Sequence, residues 1–277
     1  MIPFTKMHGN GNDFVVIENM DKGFDTKDLS RIALALCHRK TGIGGDGILV
    51  VEPSDKADLA MRIFNRDGSE GEMCGNGARC FARYAFETGL AGPVMDFETL
   101  AGMMHAEVNP PDVVLHMGSI DCSKGLFDEQ VSLLGDTFPL AALRVGVPHC
   151  AVFVENLAVR SRGDLVFLGR TLCHDTLRFP EGANVNFVQD LGEGKLLVTT
   201  YERGVEDLTD SCGTGSTMSA IAAAKRWGLA SPVKVINPGG VNVVHMEWKD
   251  DGSACEVRLE GRTALVAQGT VLEEAGL

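Results

Sequence analysis

No stretch of this sequence is long and apolar enough for a membrane helix. The longest apolar runs, Ile32 to Cys37 and Ala220 to Ala224, fall far short of the ~20 residues such a helix needs. The opening Met1-Ile2-Pro3-Phe4-Thr5-Lys6 lacks the apolar core of a signal peptide. A block of Lys and Arg is missing too: 25 basic residues stand against 38 acidic ones, a formal net charge of −13. That field repels polyanions, so neither a nucleic acid nor a membrane surface is an expected partner. Eight cysteines in 277 residues are too few for a disulfide scaffold and read as thiols of a cytoplasmic protein. The one close pair, Cys74 and Cys80, lacks CxxC spacing and has no nearby His, so no metal site is expected. No lysine motif for pyridoxal phosphate is evident, and no cofactor is expected.

A chain that is 44% hydrophobic and 23% charged is an ordinary globular sequence, long enough for one large domain or two smaller ones. Its most informative feature is an internal repeat. Met61-Arg62-Ile63-Phe64-Asn65-Arg66 leads through an acidic, Gly-containing loop to Cys74-Gly75-Asn76-Gly77. About half the chain later, Val198-Thr199-Thr200-Tyr201-Glu202-Arg203 leads through a similar loop to Cys212-Gly213-Thr214-Gly215. Each copy is a strand-like run, a polar residue followed by Arg, a loop, then Cys-Gly-x-Gly at the start of a helix-like stretch.

The remaining pattern supports two halves. In the first, strands are expected at Phe4 to His8 and Phe14 to Glu18 around a Gly9–Asp13 turn, at Ile48 to Glu52, Val94 to Phe97 and Met104 to Val108. Helices are expected at Thr26 to His38, where Leu29, Ile32, Ala33 and Leu36 follow helical spacing, and at Ala78 to Thr88. In the second half, strands are expected at Ala151 to Val154, Val185 to Val188 and Leu196 to Tyr201, then a helix over Gly215 to Trp227. Four closing strands follow, at Val233 to Ile236, Val241 to Trp248, Glu256 to Leu259 and Ala264 to Val271. The expected fold class is α+β, with two pseudo-symmetric halves, each a mixed or antiparallel sheet or open barrel around a central helix. The expected domains are 1–118, with the C-terminal strand 264–277 packing on it, and 119–263. Gly42-Ile43-Gly44-Gly45-Asp46-Gly47 matches G-x-G-x-x-G formally. It follows a helix and opens a strand, the reverse of the dinucleotide-binding order, and reads as a tight turn.

Cys-Gly-x-Gly at a helix start has a specific chemical use. The first helical N–H groups have no intrahelical partners, and the helix dipole adds roughly half a positive charge there. A thiolate is favoured in that position, and the glycines let a carboxylate approach the backbone donors. Two such sites suit an α-carbon flanked by two sulfurs, one removing a proton and the other delivering one to the opposite face. That is two-base racemisation or epimerisation.

Several blocks closely resemble the diaminopimelate epimerase family: Met7-His8-Gly9-Asn10-Gly11-Asn12-Asp13-Phe14, Phe64-Asn65-Arg66-Asp67-Gly68-Ser69-Glu70, Cys74 to Cys80, Pro148-His149-Cys150, Gly182-Ala183-Asn184-Val185, Tyr201-Glu202-Arg203-Gly204 and Cys212 to Gly215. The resemblance implies a cofactor-independent epimerase that interconverts LL- and meso-diaminopimelate for lysine and cell-wall synthesis, and a homodimer. By matching motifs it implies Cys74 and Cys212 as the acid/base pair, assisted by His149 and Glu202. It implies substrate contacts from Asn12, Asn65, Asn184, Glu202 and Arg203, and a carboxylate cradle from Gly75, Asn76, Gly213 and Thr214. The match is incomplete at Val147, where family members have Asn, at Gly47 and Leu208, where some have Gln and Glu, and at Leu100-Ala101-Gly102. These departures concern distal recognition more than the reacting centre. They leave open a racemase of another amino acid, such as histidine, with the same chemistry. A non-catalytic thiol switch is the alternative from a different class.

Overall fold

The computed structural model of the chain describes residues 1–133 and 135–275. It divides into two units, one of Met1–His116 with the chain from Gly261 onward, the other of Met117–Glu260. The first unit runs β1 (Ile2–Gly9), β2 (Asn12–Glu18), α1 (Thr26–Leu36), β3 (Gly47–Glu52), β4 (Leu59–Asn65), β5 (Glu70–Gly71), α2 (Gly75–Glu87), β6 (Val94–Thr99), β7 (Gly102–Asn109) and into β8 (Asp112–Asp121). The second runs from β8 through β9 (Leu126–Leu133), β10 (Asp136–Val145), β11 (Val147–Phe153), α3 (Arg162–Cys173), β12 (Asn184–Gly192), β13 (Lys195–Glu202), β14 (Asp207–Thr209), α4 (Gly213–Trp227), β15 (Val233–Asn237), β16 (Gly240–Trp248) and β17 (Ala254–Val271). Strand β17 ends in the first unit.

The two units share one plan. In the first, β1 is antiparallel to β2, β2 parallel to β3, β3 antiparallel to β4, and β4 antiparallel to β5 but parallel to β6. Strands β6, β7 and β8 continue antiparallel. Strand β17 pairs with both β1 and β8, so this ladder closes on itself. In the second, β10 is antiparallel to β11, β11 parallel to β12, β12 antiparallel to β13, and β13 antiparallel to β14 but parallel to β15, which is antiparallel to β16. A parallel pair needs a crossover. Helices α1 and α2 supply them in the first unit, α3 and α4 in the second. The fold is α+β with two pseudo-symmetric halves, each built around a central helix.

The helices differ because their surroundings differ. Helix α1 is amphipathic: Leu29, Ile32, Ala33 and Leu36 pack on Val15, Ile17, Ile48 and Val50, each large side chain contributing about 2 kcal/mol by leaving water. Its N-terminus is closed by a capping box in which Asp25 accepts from the Lys27 and Asp28 amides at 2.8 and 2.9 Å. Helices α2 and α4 are buried all round, through Asn76–Ala82 and Gly215–Ala223. A helix enclosed on every side needs small residues where strands approach, which the Ala, Gly, Ser and Thr content of α4 supplies.

Several expectations are corrected. Helices α2 and α4 begin at Gly75 and Gly213, a few residues before the expected starts, because glycine's low helix propensity is overridden by burial. Helix α1 ends at Leu36, short of His38, since the chain must turn through Gly42. A Cβ at Gly42 would stand 2.2 Å from the Ala35 carbonyl oxygen. The strands expected at Glu256 to Leu259 and Ala264 to Val271 are one continuous β17. Residues 276–277 of the expected C-terminal strand lie outside the described residues. Helix α3 falls where no element was expected. The repeat itself points to it, because α3 occupies the position between β11 and β12 that α1 occupies between β2 and β3. No described helix is long and apolar enough to cross a membrane.

Candidate active site

In the first unit, Cys74 is the N-cap of α2, in extended conformation and without a side-chain capping bond. Its thiol donates to Asn12 Oδ1 at 3.4 Å. The Asn12 amide group is itself oriented: Nδ2 donates to Asp46 Oδ2 at 2.7 Å, and Asp46 also accepts from the Asp13 amide at 3.1 Å and from Arg39 at 2.9 Å. Asn76 Nδ2 lies 3.5 Å from the same Asn12 oxygen, and Arg79 donates to Asn76 Oδ1. Three expected site residues, Asn12, Cys74 and Asn76, therefore form one cluster. Gly75 faces open space, since a Cβ there would meet nothing within 4 Å. Asn65 stands apart. It is exposed, and its Nδ2 donates to Ser69 Oγ at 3.0 Å across a turn.

In the second unit, Cys212 caps α4 and is 7% exposed. Its sulfur accepts from the Gly215 amide at 3.3 Å and lies 3.4 Å from Thr214 Oγ1. Its thiol donates to Glu202, which also accepts from Thr209 Oγ1 at 3.2 Å. Burial pushes the Glu202 carboxyl up. Burial and then the Glu202 charge push the Cys212 thiol well above the usual thiol range. This corrects the expectation that a helix start favours the thiolate: for Cys212, desolvation outweighs the helix N–H groups.

His149, on β11, is fully enclosed, and its Nε2 lies 3.0 Å from Thr214 Oγ1. Burial, helped by the Arg203 charge, lowers its imidazole to about 3, so the ring is neutral at physiological pH. Its tautomer follows from Asn186. Asn186 Nδ2 lies 2.9 Å from the Cys150 carbonyl, which can only accept, and 3.3 Å from His149 Nδ1. Asn186 Oδ1 accepts from Thr200 Oγ1 at 2.9 Å. His149 Nδ1 is therefore the acceptor and Nε2–H the donor to Thr214, which frees the Thr214 hydroxyl hydrogen to face Cys212. Asn184 pairs in register with His149, and its Oδ1 accepts from the Arg203 amide at 2.9 Å, while the Arg203 guanidinium holds the Glu181 carbonyl. Gly213 would place a Cβ 3.0 Å from Leu259.

Four residues that serve these half-sites were absent from the sequence reading of the site: Asp46, Arg79, Asn186 and Thr200. Asn186 alone left a signal, standing two residues after Asn184 and so on the same strand face. Among the described residues, two other groupings have metal-ligand geometry, His105, Glu107 and His116, and Cys173, His174 and Glu206. Neither contains an expected site residue. Their imidazoles already pair with carboxylates, His105 with Asp96, His116 with Glu107 and His174 with Glu206.

A family model described as diaminopimelate epimerase matches residues 4–122 and 141–265. A diaminopimelate epimerase of Archaeoglobus fulgidus is 45% identical over 252 residues, covering 87% of this chain and 88% of that relative. One from Caldanaerobacter subterraneus subsp. tengcongensis is 42% identical over 284 residues, covering 97% and 98%. Among solved structures, a Bacillus anthracis phenazine biosynthesis protein of the PhzF family superposes with a TM-score of 0.73, covering 98% of this chain and 99% of that one at 17% identity. The last likeness is one of fold.

Proposed function

Because this chain belongs to the diaminopimelate epimerase family, we propose that it interconverts LL- and meso-diaminopimelate, an isomerisation serving lysine and cell-wall precursor synthesis. One thiolate takes the α-proton, the electron pair is held by the adjacent carboxylate, and the other thiol returns a proton to the opposite face. No atoms are gained or lost, and the reaction leaves the thiol and thiolate exchanged between the two cysteines. The observation that carries this reading is that each unit ends a Cys-Gly-x-Gly loop as the N-cap of a buried central helix. The helix N–H groups beside Gly75, Asn76, Gly213 and Thr214 suit the carboxylate next to the reacting carbon.

Glu202 is the group that accepts the Cys212 proton when that cysteine acts as base, and His149 supports Thr214. Asn12, Asn65, Asn184 and Arg203 are assigned to the substrate's remaining carboxylate and ammonium groups. We place the chain in the cytoplasm because eight cysteines in 277 residues are too few for a disulfide scaffold. Homodimeric assembly is carried over from the family resemblance, and sedimentation of the purified chain tests it.

The decisive experiment supplies LL-diaminopimelate in deuterated water to reduced, metal-free protein without added cofactor. Solvent deuterium is expected at the α-carbon of the meso product, and Cys74→Ala or Cys212→Ala is expected to abolish turnover. Inversion of another amino acid, with diaminopimelate inert, would move the reading to a different racemase. Absence of exchange from every amino acid tested would remove the epimerase reading altogether.

A further inference from the structure

Arg79 is a buried cation that pairs with no carboxylate among the described residues. It sits in the second turn of α2, has no solvent exposure, and its Nε and Nη1 have no hydrogen-bond partner. A guanidinium stays charged in proteins, and burying it unpaired is costly enough that a counter-charge is normally supplied. Among the described residues, the carboxylates on the strands packed against α2 have other partners; on β17, whose Gly261 lies against Arg79, Glu260 pairs with His245. On β1, Lys6 is cationic and His8 can only add positive charge. On β2, Asp13 pairs with Lys6 and Arg39, and Glu18 accepts from Tyr84. Glu52 of β3 faces Arg62 of β4, whose closest partner is Glu70. On β7, His105 meets Asp96 and Glu107 meets His116. On α2 itself, Arg83 pairs with Glu87.

What Arg79 does face is the sulfur end of its own helix. Among the described residues, the acidic groups whose charge bears on Arg79 are Cys80 and Cys74. Cys80 is fully enclosed, and burial pushes its thiol up to about 12, so it stays neutral. Cys74 is half-buried at the helix start, and side chains lead to it without a break: Arg79 to Asn76 Oδ1, Asn76 Nδ2 to Asn12 Oδ1 at 3.5 Å, Cys74 Sγ to that same oxygen at 3.4 Å. A glycine is required for this arrangement, since a Cβ at Gly261 would stand 2.8 Å from Arg79 Nε.

We propose that Arg79 is the standing counter-charge of the Cys74 sulfur: a positioning residue that reaches neither substrate nor sulfur directly, and whose field favours the Cys74 thiolate. The inference deepens the proposed reaction and rests on it only for the use to which Cys74 is put. The two half-sites then differ in design. Cys74 has a cation behind it, whereas Cys212 has the Glu202 carboxylate.

Alkylation of the intact protein by iodoacetamide across pH 5 to 10, with each cysteine peptide quantified by mass spectrometry, reads the titration of Cys74 directly. In the wild type its midpoint is expected below the usual thiol value of about 8.5. Arg79→Met is expected to raise that midpoint by about one unit, a roughly tenfold loss of Cys74 reactivity at neutral pH, while leaving the Cys212 profile in place. Arg79→Lys, which keeps the charge, restores most of the reactivity. A wild-type midpoint at or above the ordinary value overturns the proposal even if neither variant folds. Equal profiles for wild type and folded Arg79→Met also overturn it, as do equal losses in the Met and Lys variants, which would mark a packing role. Failure of the epimerase assay would leave these titrations unchanged, so the two readings fail separately.

Discussion

Asn186 donates to His149 Nδ1 at 3.3 Å, and this contact sets the direction of every hydrogen bond from β12 to the Cys212 sulfur. The Cys150 carbonyl holds the Asn186 amide in place, His149 is left with its proton on Nε2, and Thr214 turns its own hydrogen toward sulfur. A buried network of this kind is stable only when each donor meets an acceptor.

Nitrogen-15 spectra of His149 are therefore expected to show the neutral Nε2–H form from pH 5 to 8. Asn186→Leu removes the donor to Nδ1 and the bond to the Cys150 carbonyl. Signal from the Nδ1–H form is expected in that variant, with kcat reduced roughly tenfold or more, in line with about 1–1.5 kcal/mol for one such bond. An Nδ1–H tautomer in the wild type would contradict the proton order assigned here.

His149 also gives the fold a pH dependence. Its ring is lowered to about 3 in the folded chain, against about 6.5 when unfolded. Between those values the unfolded state binds the extra proton, so the stability from burying a neutral ring is complete above pH 6.5 and is lost as pH falls toward 3. At pH 5 the loss is about 2 kcal/mol. Urea unfolding at pH 7 and pH 5 measures it, and His149→Gln should flatten the difference.

Glu202 raises the Cys212 thiol and takes its hydrogen bond. Glu202→Gln removes the charge while keeping the shape. Faster alkylation of Cys212 at pH 8 is expected, together with roughly a hundredfold fall in kcat, the usual scale for losing a positioned acid or base. Slower alkylation would reverse the assigned electrostatics.

The two motif glycines make opposite demands. A Cβ at Gly215 would lie 2.3 Å from Asn186 Oδ1, whereas one at Gly75 meets nothing within 4 Å. Gly215→Ala is thus expected to lower stability by about 2 kcal/mol through overpacking. Gly75→Ala should melt no lower than wild type and instead raise KM, because the added methyl occupies the approach to the helix amides. Thermal melts beside substrate titrations distinguish the two.

How much of this was legible beforehand varied by element. Leu29, Ile32, Ala33 and Leu36 announce α1, because an amphipathic helix writes its buried face into its spacing. Helix α4 offers no such face, being buried on every side, and was found through the motif that precedes it. Helix α3 buries Leu165, Leu168 and Leu172 at helical spacing as α1 does, yet it lies where no element is expected. The half-sites were legible at their centres. Their supports were not: Asp46 and Thr200 act through Asn12 and Asn186, distant in sequence, and Arg79, only three residues from Asn76, shows its role only once its burial is known.

The order of residues by itself determined that a strand, a glycine-bearing loop and a cysteine-capped helix occur twice, since turns, caps and periodicity are short-range matters. Tertiary structure decided what each sulfur meets. Burial and through-space charge depend on residues brought in from elsewhere in the chain, so the same four-residue motif ends beside Asn12 in one unit and beside Glu202 in the other.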